Sequence, residues 1–546
     1  FNKMLISDIM RKLPYILGIV GLLFVNPSYG TNQQDSTFNQ VVTVERDYQP
    51  EIESASMIQI KPTTLQVEVD LNPVIYSTYS TPLSIGYNLH PLQAAELRFT
   101  PLTPTTGLLD VAIGHHNTHV NFDYQLHGDT NTTANFYAKH DAYWGSNTLS
   151  HTKIGGHGDY CFKKSKLYFG LDGANSAYTL RGQKQLQALY HAFAYIGLHS
   201  NNAQDYLQYN AQIAYKAFFT PTVIENQVRS HLNISWGEGQ HRGGIDVHAQ
   251  NNIYCSTSQS IEPIHNLRME PFYELEEGNF NLHVGVNLDL NIGTEQMLSK
   301  TNNISFAPSP NVKFEWNIVP EKLQLHTLIN GSFAKGTIDE SLHINRYFNI
   351  AELVAKRDAK TYIPVAAKIG FVARPLRTLL IDIYGGYSLY MNDYTMVANL
   401  DKNISYEYIL QNYQCGHVGA ALHYHYRDIV NIKANGNYYF WKNLSSKSTV
   451  YDRPEWDATL SVKVNIDQKW SIYSENRLEG ARMAYTTMQD EQLPMTIDLN
   501  IGAEYDINRW INVYLQLGNY LNRKNPIYYG YNTQGCHFLA GFKYTF

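Results

Sequence analysis

At 546 residues the chain is longer than an ordinary single soluble core. Only 16% of its residues are charged, where a soluble domain carries about 25%, and Tyr alone occurs 42 times. The net charge of −6 and a pI near 6.4 exclude a basic footprint for nucleic acid, and the lack of any apolar run of about 20 residues after residue 30 excludes a bundle of membrane-spanning helices.

In chain order, the first feature is a short export signal. Met10-Arg11-Lys12 supplies a positive region and Leu13 to Val25 an apolar one, and Ser28-Tyr29-Gly30 offers small residues for cleavage. Residues 1–30 therefore read as a signal peptide, with 1–9 lying upstream of the true start, and the mature chain begins near Thr31. The segment 31–105 carries Pro50, Pro62, Pro73, Pro82, Pro91 and Pro101. It reads as extended, irregular chain in the lumen or at the periplasmic mouth of a barrel formed by the remaining residues.

From about residue 106 to the end the pattern changes to alternation with period two. Phe280 to Ile292 sets Leu282, Val284, Val286, Leu288 and Leu290 against His283, Gly285, Asn287 and Asp289. Trp456 to Ile466 and Met495 to Ile507 repeat the design. Successive side chains of a strand point to opposite faces, so each segment has one apolar and one polar side. A soluble β-sandwich also alternates, but its strands run about 5–6 residues. These run 11 to 13, the length a tilted strand needs to cross a bilayer. A mean hydropathy of −0.34 fits as well, because lipid-facing and lumen-facing residues cancel in the average.

Tight polar turns join several strands: Phe162 to Lys166, Val319 to Lys322, Arg374 to Arg377, Tyr426 to Asp428, Asp467 to Lys469 and Asp506 to Arg509. Longer stretches at 294–310, 335–362, 391–412, 441–454, 481–494 and 520–536 read as loops of the opposite side. The expected fold is thus all-β: a transmembrane antiparallel β-barrel over 106–546 with about 22 strands, an even number that leaves both termini in the periplasm of a Gram-negative cell.

Candidate chemistry is sparse. Of 21 histidines, His423 and His425 stand at i and i+2 on the inward face with His417, and that pair is the candidate for holding an ion; solvated lumen-wall histidines are the plainer reading. Four cysteines (Cys161, Cys255, Cys415, Cys536) lie far apart without a CxxC spacing. No HExxH or glycine-rich phosphate loop occurs, so no enzyme activity, cofactor or nucleic-acid partner is expected. Trp236, Trp441, Trp456, Trp470, Trp510, Tyr438 and Tyr439 are expected in interfacial girdles, and Tyr528, Tyr529 and Tyr531 around an extracellular mouth.

The chain ends on an alternating strand with Phe538, Phe542, Tyr544 and Phe546, a form similar to the signal read by the barrel assembly machinery. Trp510 to Asn522, the Tyr528-Tyr529-Gly530-Tyr531 stretch and Gly535 to Phe546 together resemble the C-terminal end of TonB-dependent receptors, and the tyrosine-rich style resembles proteins of Bacteroidetes. Gly518-Asn519-Tyr520-Leu521-Asn522 departs from that family's commoner Asn-Leu-Phe-Asn run. The resemblance implies a 22-stranded barrel and a receptor that moves a solute across the outer membrane. It also implies a TonB box, for which Val41, Val42, Thr43 and Val44 are the candidates; the same stretch suits a short periplasmic strand. Only about 70 residues separate the cleavage site from the first convincing strand, so the resemblance covers the barrel and not a full plug. The expected partners are outer-membrane lipid, the assembly machinery, and TonB or a surface lipoprotein. The alternative function is a barrel that does not transport and instead anchors surface lipoproteins or periplasmic machinery.

Overall fold

The computed structural model describes residues 107–546 except 128–130, 145–147, 181–185, 203–204, 257–260, 293–303, 334–336, 356–360, 401–404 and 445–448. The signal-peptide segment, the segment 31–105 and Val41 to Val44 lie outside the described residues.

The alternating segments become the staves of a closed wall. They are β1 (Gly107–Gly114), β2 (Asn117–His127), β3 (Thr132–Tyr143), β4 (Leu149–Cys161), β5 (Ser165–Thr179), β6 (Leu186–Ser200) and β7 (Leu207–Phe219). There follow β8 (Val223–Glu238), β9 (His241–Ser256), β10 (Ile264–Glu277), β11 (Phe280–Ile292), β12 (Ile304–Val319), β13 (Leu323–Phe333) and β14 (Tyr362–Leu376). Then come β15 (Leu379–Asn399), β16 (Ser405–Tyr426), β17 (Val430–Asn443), β18 (Trp456–Asn465) and β19 (Trp470–Glu479). Beyond them β20 (Arg482–Thr486) and β21 (Asp490–Leu493) make a hairpin, β22 (Thr496–Asp506) and β23 (Ile511–Gly518) rejoin the wall, and β24 (Pro526–Tyr528) and β25 (Tyr531–Asn532) form a small ribbon. Last is β26 (His537–Thr545), which pairs with β1 from Leu108↔Thr545 to Gly114↔Leu539 and closes the ring. The expected all-β antiparallel barrel of 22 wall strands is what the chain forms.

The wall is inverted relative to a soluble protein. On the outside, Ile113, Leu171 and Ile383 are 64%, 67% and 60% exposed. On the inside, Asn287, Asp289 and Asn291 of β11 and Asp498, Asn500 and Glu504 of β22 are buried. A contiguous apolar belt of this extent does not persist in water, and an edge-free sheet is one of two backbone forms that lipid tolerates.

Inward tyrosines are laid over glycines of the next strand. Tyr168 faces Gly197 and Tyr195 faces Gly170 across β5–β6, and the same pairing joins Tyr473 with Gly502 and Tyr384 with Gly419. At each, a Cβ on the glycine would fall within 3 Å of the ring. The glycine gives the flat ring a seat against backbone, which accounts for part of the tyrosine excess.

One rim carries tight turns at 239–240, 278–279, 320–322 and 427–429, helped by left-handed Gly239, Gly278, Glu321 and Arg427. The other carries long connections in the C-terminal half. In the N-terminal half that rim also has tight links, at 115–116 and 220–222. Two expectations are corrected. The stretch 391–412 is not a loop: β15 runs to Asn399 and β16 begins at Ser405, and beyond Met391 and before Tyr413 the two pair with each other rather than with β14 or β17. It hid from the alternation test because Thr395, Met396, Val397 and Ala398 are all buried, so neither face is polar. Tyr439 and Trp441 are also not girdle residues. They share the inward parity, while Tyr438 and Phe440 are the exposed pair. Trp236 and Trp470 are exposed on the outer face at the tight-turn rim, as a girdle requires.

Candidate functional site

The long connections fold over the mouth and clasp one another. In the β13–β14 connection, helix α1 (Ile338–Ile344) begins at Thr337, whose hydroxyl accepts from the Glu340 amide while Glu340 reaches back to the Thr337 amide. This places Asp339 and Glu340 in the first turn, aimed at strands several positions away around the ring. The Asp339 carboxylate takes Lys216 of β7 and lies 3.3 Å from His191 of β6. Its amide donates to Glu225 of β8 at 2.9 Å, and Glu340 lies 3.7 Å from Arg229. A loop from one wall that is tied to a distant wall must run across the opening.

Past α1, Tyr347 stacks on Tyr531 with ring centres 3.7 Å apart and meets Tyr178 and Tyr528 edge-on. Phe348 stands edge-on to Tyr406 and Tyr408 of the β16 extension. A second short helix, α2 (Ile350–Ala355), adds Leu353 and Val354 to the same buried cluster. Tyr528 and Tyr531 are therefore buried within the cap and do not line an open mouth; the Tyr528 hydroxyl donates to the Ile344 carbonyl at 2.7 Å.

Two buried arginines lock the remaining loops. Arg453 donates to Asp393 at 2.7 Å, where Tyr413 and Thr361 also donate to that carboxylate. Arg482 donates to Glu479 at 2.6 Å and to the carbonyls of Pro526 and Ile527. Burial pushes the carboxyl of Asp452 up to about 6 against the pull of Arg482 and Arg453. Asp393 is raised by burial too, against Arg453.

Below the cap the lumen wall is lined with histidine–carboxylate contacts. His119 meets Asp141 at 2.6 Å, His326 meets Asp382 at 2.8 Å, and His283 sits between Glu270 and Glu274. His423 hydrogen-bonds Asn431 at 3.2 Å. Among the described residues, the group of three side chains suited to an ion is not at His423 and His425 but at His231, Asp246 and His248 on β8–β9, which the sequence pattern alone did not single out. Phe538, Phe542 and Tyr544 are exposed on the outer face of β26, and the Phe546 backbone exchanges two hydrogen bonds with Gly107 at 2.8 and 2.9 Å.

No family model matches the sequence, and no curated protein does. Solved structures match its shape. The copper transporter OprC aligns with a TM-score of 0.64 and 10% identity over 81% of this chain and 80% of its own. The siderophore receptor PirA from Acinetobacter baumannii gives 0.62 and 8%, covering 81% and 80%. The ferric-catecholate import receptor Fiu from E. coli K12 gives 0.60 and 10%, covering 82% of each. Sequence identity at this level speaks for architecture alone. The chain has the barrel fold of the TonB-dependent receptors.

Proposed function

We propose that the chain is an outer-membrane barrel that moves a solute through its lumen, with the capped rim outside the cell and the tight-turn rim and both termini in the periplasm. One observation carries the reading: a polar-walled ring of 22 strands is roofed by loops that hold one another through aromatic stacking, buried ion pairs and a few backbone bridges such as Phe348 with Tyr406, contacts separate from the ladder that closes the ring, so the roof can be opened without breaking the wall. A ring this wide leaves an aqueous hole unless something fills it. The segment 31–105 is assigned to the lumen or its periplasmic mouth, with Val41, Val42, Thr43 and Val44 offered to TonB as an added strand. Phe538, Phe542, Tyr544 and Phe546 serve as the assembly signal. The shape shared with named transporters and import receptors supports the class.

The test has two arms. Deleting 31–105 raises single-channel conductance in planar bilayers if that segment blocks the pore; unchanged conductance rejects the placement. The periplasmic domain of TonB retains the wild-type barrel and not a Val42→Pro variant. The roof also suits a second reading, a sealed platform for a surface lipoprotein, which gains if TonB is never retained and the pore never conducts.

A further inference from the structure

The geometry points to a binding site for one divalent transition ion of the imidazole-preferring kind, Zn2+ or Cu2+, on the lumen wall between β8 and β9. His231 and His248 are direct cross-strand partners. Their rings lie parallel, with centres 4.1 Å apart and planes 4° off. Each turns the same nitrogen to one carboxylate: His231 Nε2 is 2.9 Å from Asp246 Oδ2, and His248 Nε2 is 2.7 Å from Oδ1. The three ligand atoms fall within 4.8 Å of one another.

This differs from the single histidine–carboxylate contacts elsewhere on the wall, because two imidazoles converge on one anion from the same face. Two imidazole nitrogens, once deprotonated at Nε2, and one carboxylate oxygen each offer a lone pair here and form three corners of a coordination sphere. With metal–nitrogen and metal–oxygen bonds of about 2.0–2.2 Å, the ion needs Asp246 to retreat by a fraction of an ångström. The Nε2 protons move to Nδ1 or to solvent as it enters. Asn233 Nδ2 donates to Asp246 Oδ2 at 2.8 Å and orients the carboxylate, as outer partners of metal ligands do.

The neighbouring charges do not compete. Arg268, the cross-strand partner of His248, is held by Asp289 at 2.8 Å, and Glu270, the partner of Asp246, is held by His283 and Asn311. His248 is 45% exposed toward the lumen, so a fourth position stays open to water or to a ligand on a passing solute. The inference needs no transport cycle, and its test works on a barrel that conducts nothing.

The experiment uses the full chain, purified in detergent and stripped with chelator, with Co2+ as a visible-absorbing probe and Zn2+ as competitor. One Co2+ equivalent with intense ligand-field bands, displaced by Zn2+, is the expected wild-type result. Its affinity falls at least tenfold in Asp246→Asn and the equivalent disappears in His231→Ala/His248→Ala, while His423→Ala is unchanged. Wild-type protein that takes up no Co2+ overturns the site. So does a double variant that still shows the gel shift on boiling and still binds Co2+ as wild type does. If the double variant does not fold, Cu2+ spin resonance on the wild type decides: nitrogen coupling from two imidazoles supports the site, and its absence rejects it.

Discussion

Tyr514 on β23 reaches across β26 to Asp110 on β1, and its hydroxyl donates to the carboxylate at 2.7 Å. The ring passes over Gly541, where a Cβ would come within 2.6 Å of it. Three strands that meet only after the whole chain is laid down are thus stapled at the closure seam. Tyr514→Phe removes the hydrogen bond to a charged acceptor and costs about 1.5–3 kcal/mol. Gly541→Val unseats the ring and costs more. Urea titration of the barrel in lipid vesicles measures both, and a stable Gly541→Val barrel would show that the seat is dispensable.

The clasp at the mouth is separable from the wall. Arg453→Ala leaves the buried Asp393 carboxylate without its cation, with only Tyr413 and Thr361 still donating to it, a loss of up to about 3–5 kcal/mol for such a pair. Because Arg453 sits in the β17–β18 connection and Asp393 in the part of β15 that extends beyond the wall, the damage is expected there. Protease nicking within 444–455 rises by orders of magnitude, while the mobility shift on boiling is retained. Loss of that shift would mean that the cap and the wall fold as one.

Asp339 ties the β13–β14 connection to the far wall through Lys216 and His191. Asp339→Asn keeps the helix cap, which belongs to Thr337 and Glu340, but removes the charge that Lys216 requires. Residues 338–355 then exchange amide hydrogen faster, and small antibiotics enter cells faster. Unaltered exchange over that stretch would show that the aromatic stacking and the backbone bridge between Phe348 and Tyr406 hold the strap without this charge.

How far the sequence could be read depends on these same residues. The wall was legible because lipid on one side and water on the other force a strict two-residue period, as in Phe280 to Ile292. The cap was not, because Thr395 to Ala398 of the β15 extension and Tyr528 are enclosed on all sides, so nothing obliges polar and apolar residues to alternate there. An aromatic near a strand end suits a girdle whichever way it points, so residue type and position put Tyr439 and Trp441 on the wrong face. Counting parity from Tyr438 and Phe440 settles only the pair, not its direction. The His231–His248 pairing was within reach: the hairpin turns at Gly239-Gln240, and counting outward from it makes the two histidines partners, with Asp246 two residues along on the same face.

The apolar belt makes a test of its own. Leu171 lies midway along β5 and is 67% exposed. Arginine placed there faces hydrocarbon and costs about 2–4 kcal/mol, whereas Asp172→Asn on the inward side leaves lipid insertion intact. Equal effects of the two changes on folding into vesicles would contradict the assignment of the faces.

Acid should tighten the roof. The Asp452 carboxyl lies at about 6 in the folded protein, against about 3.9 in an unfolded chain. Between those values the folded state binds a proton that the unfolded state does not, so stability falls as pH rises through the window and gains as pH drops. Asp393 shifts in the same direction for the same reason, which is burial outweighing its arginine. Nicking of the 444–455 connection is therefore expected to slow between pH 7 and pH 5. Asp452→Asn, which carries no charge to desolvate, is expected to be nearly as slow at pH 7 as the wild type is at pH 5. Faster nicking at pH 5 in the wild type would mean that attraction to Arg482 and Arg453 outweighs the cost of burying the charge.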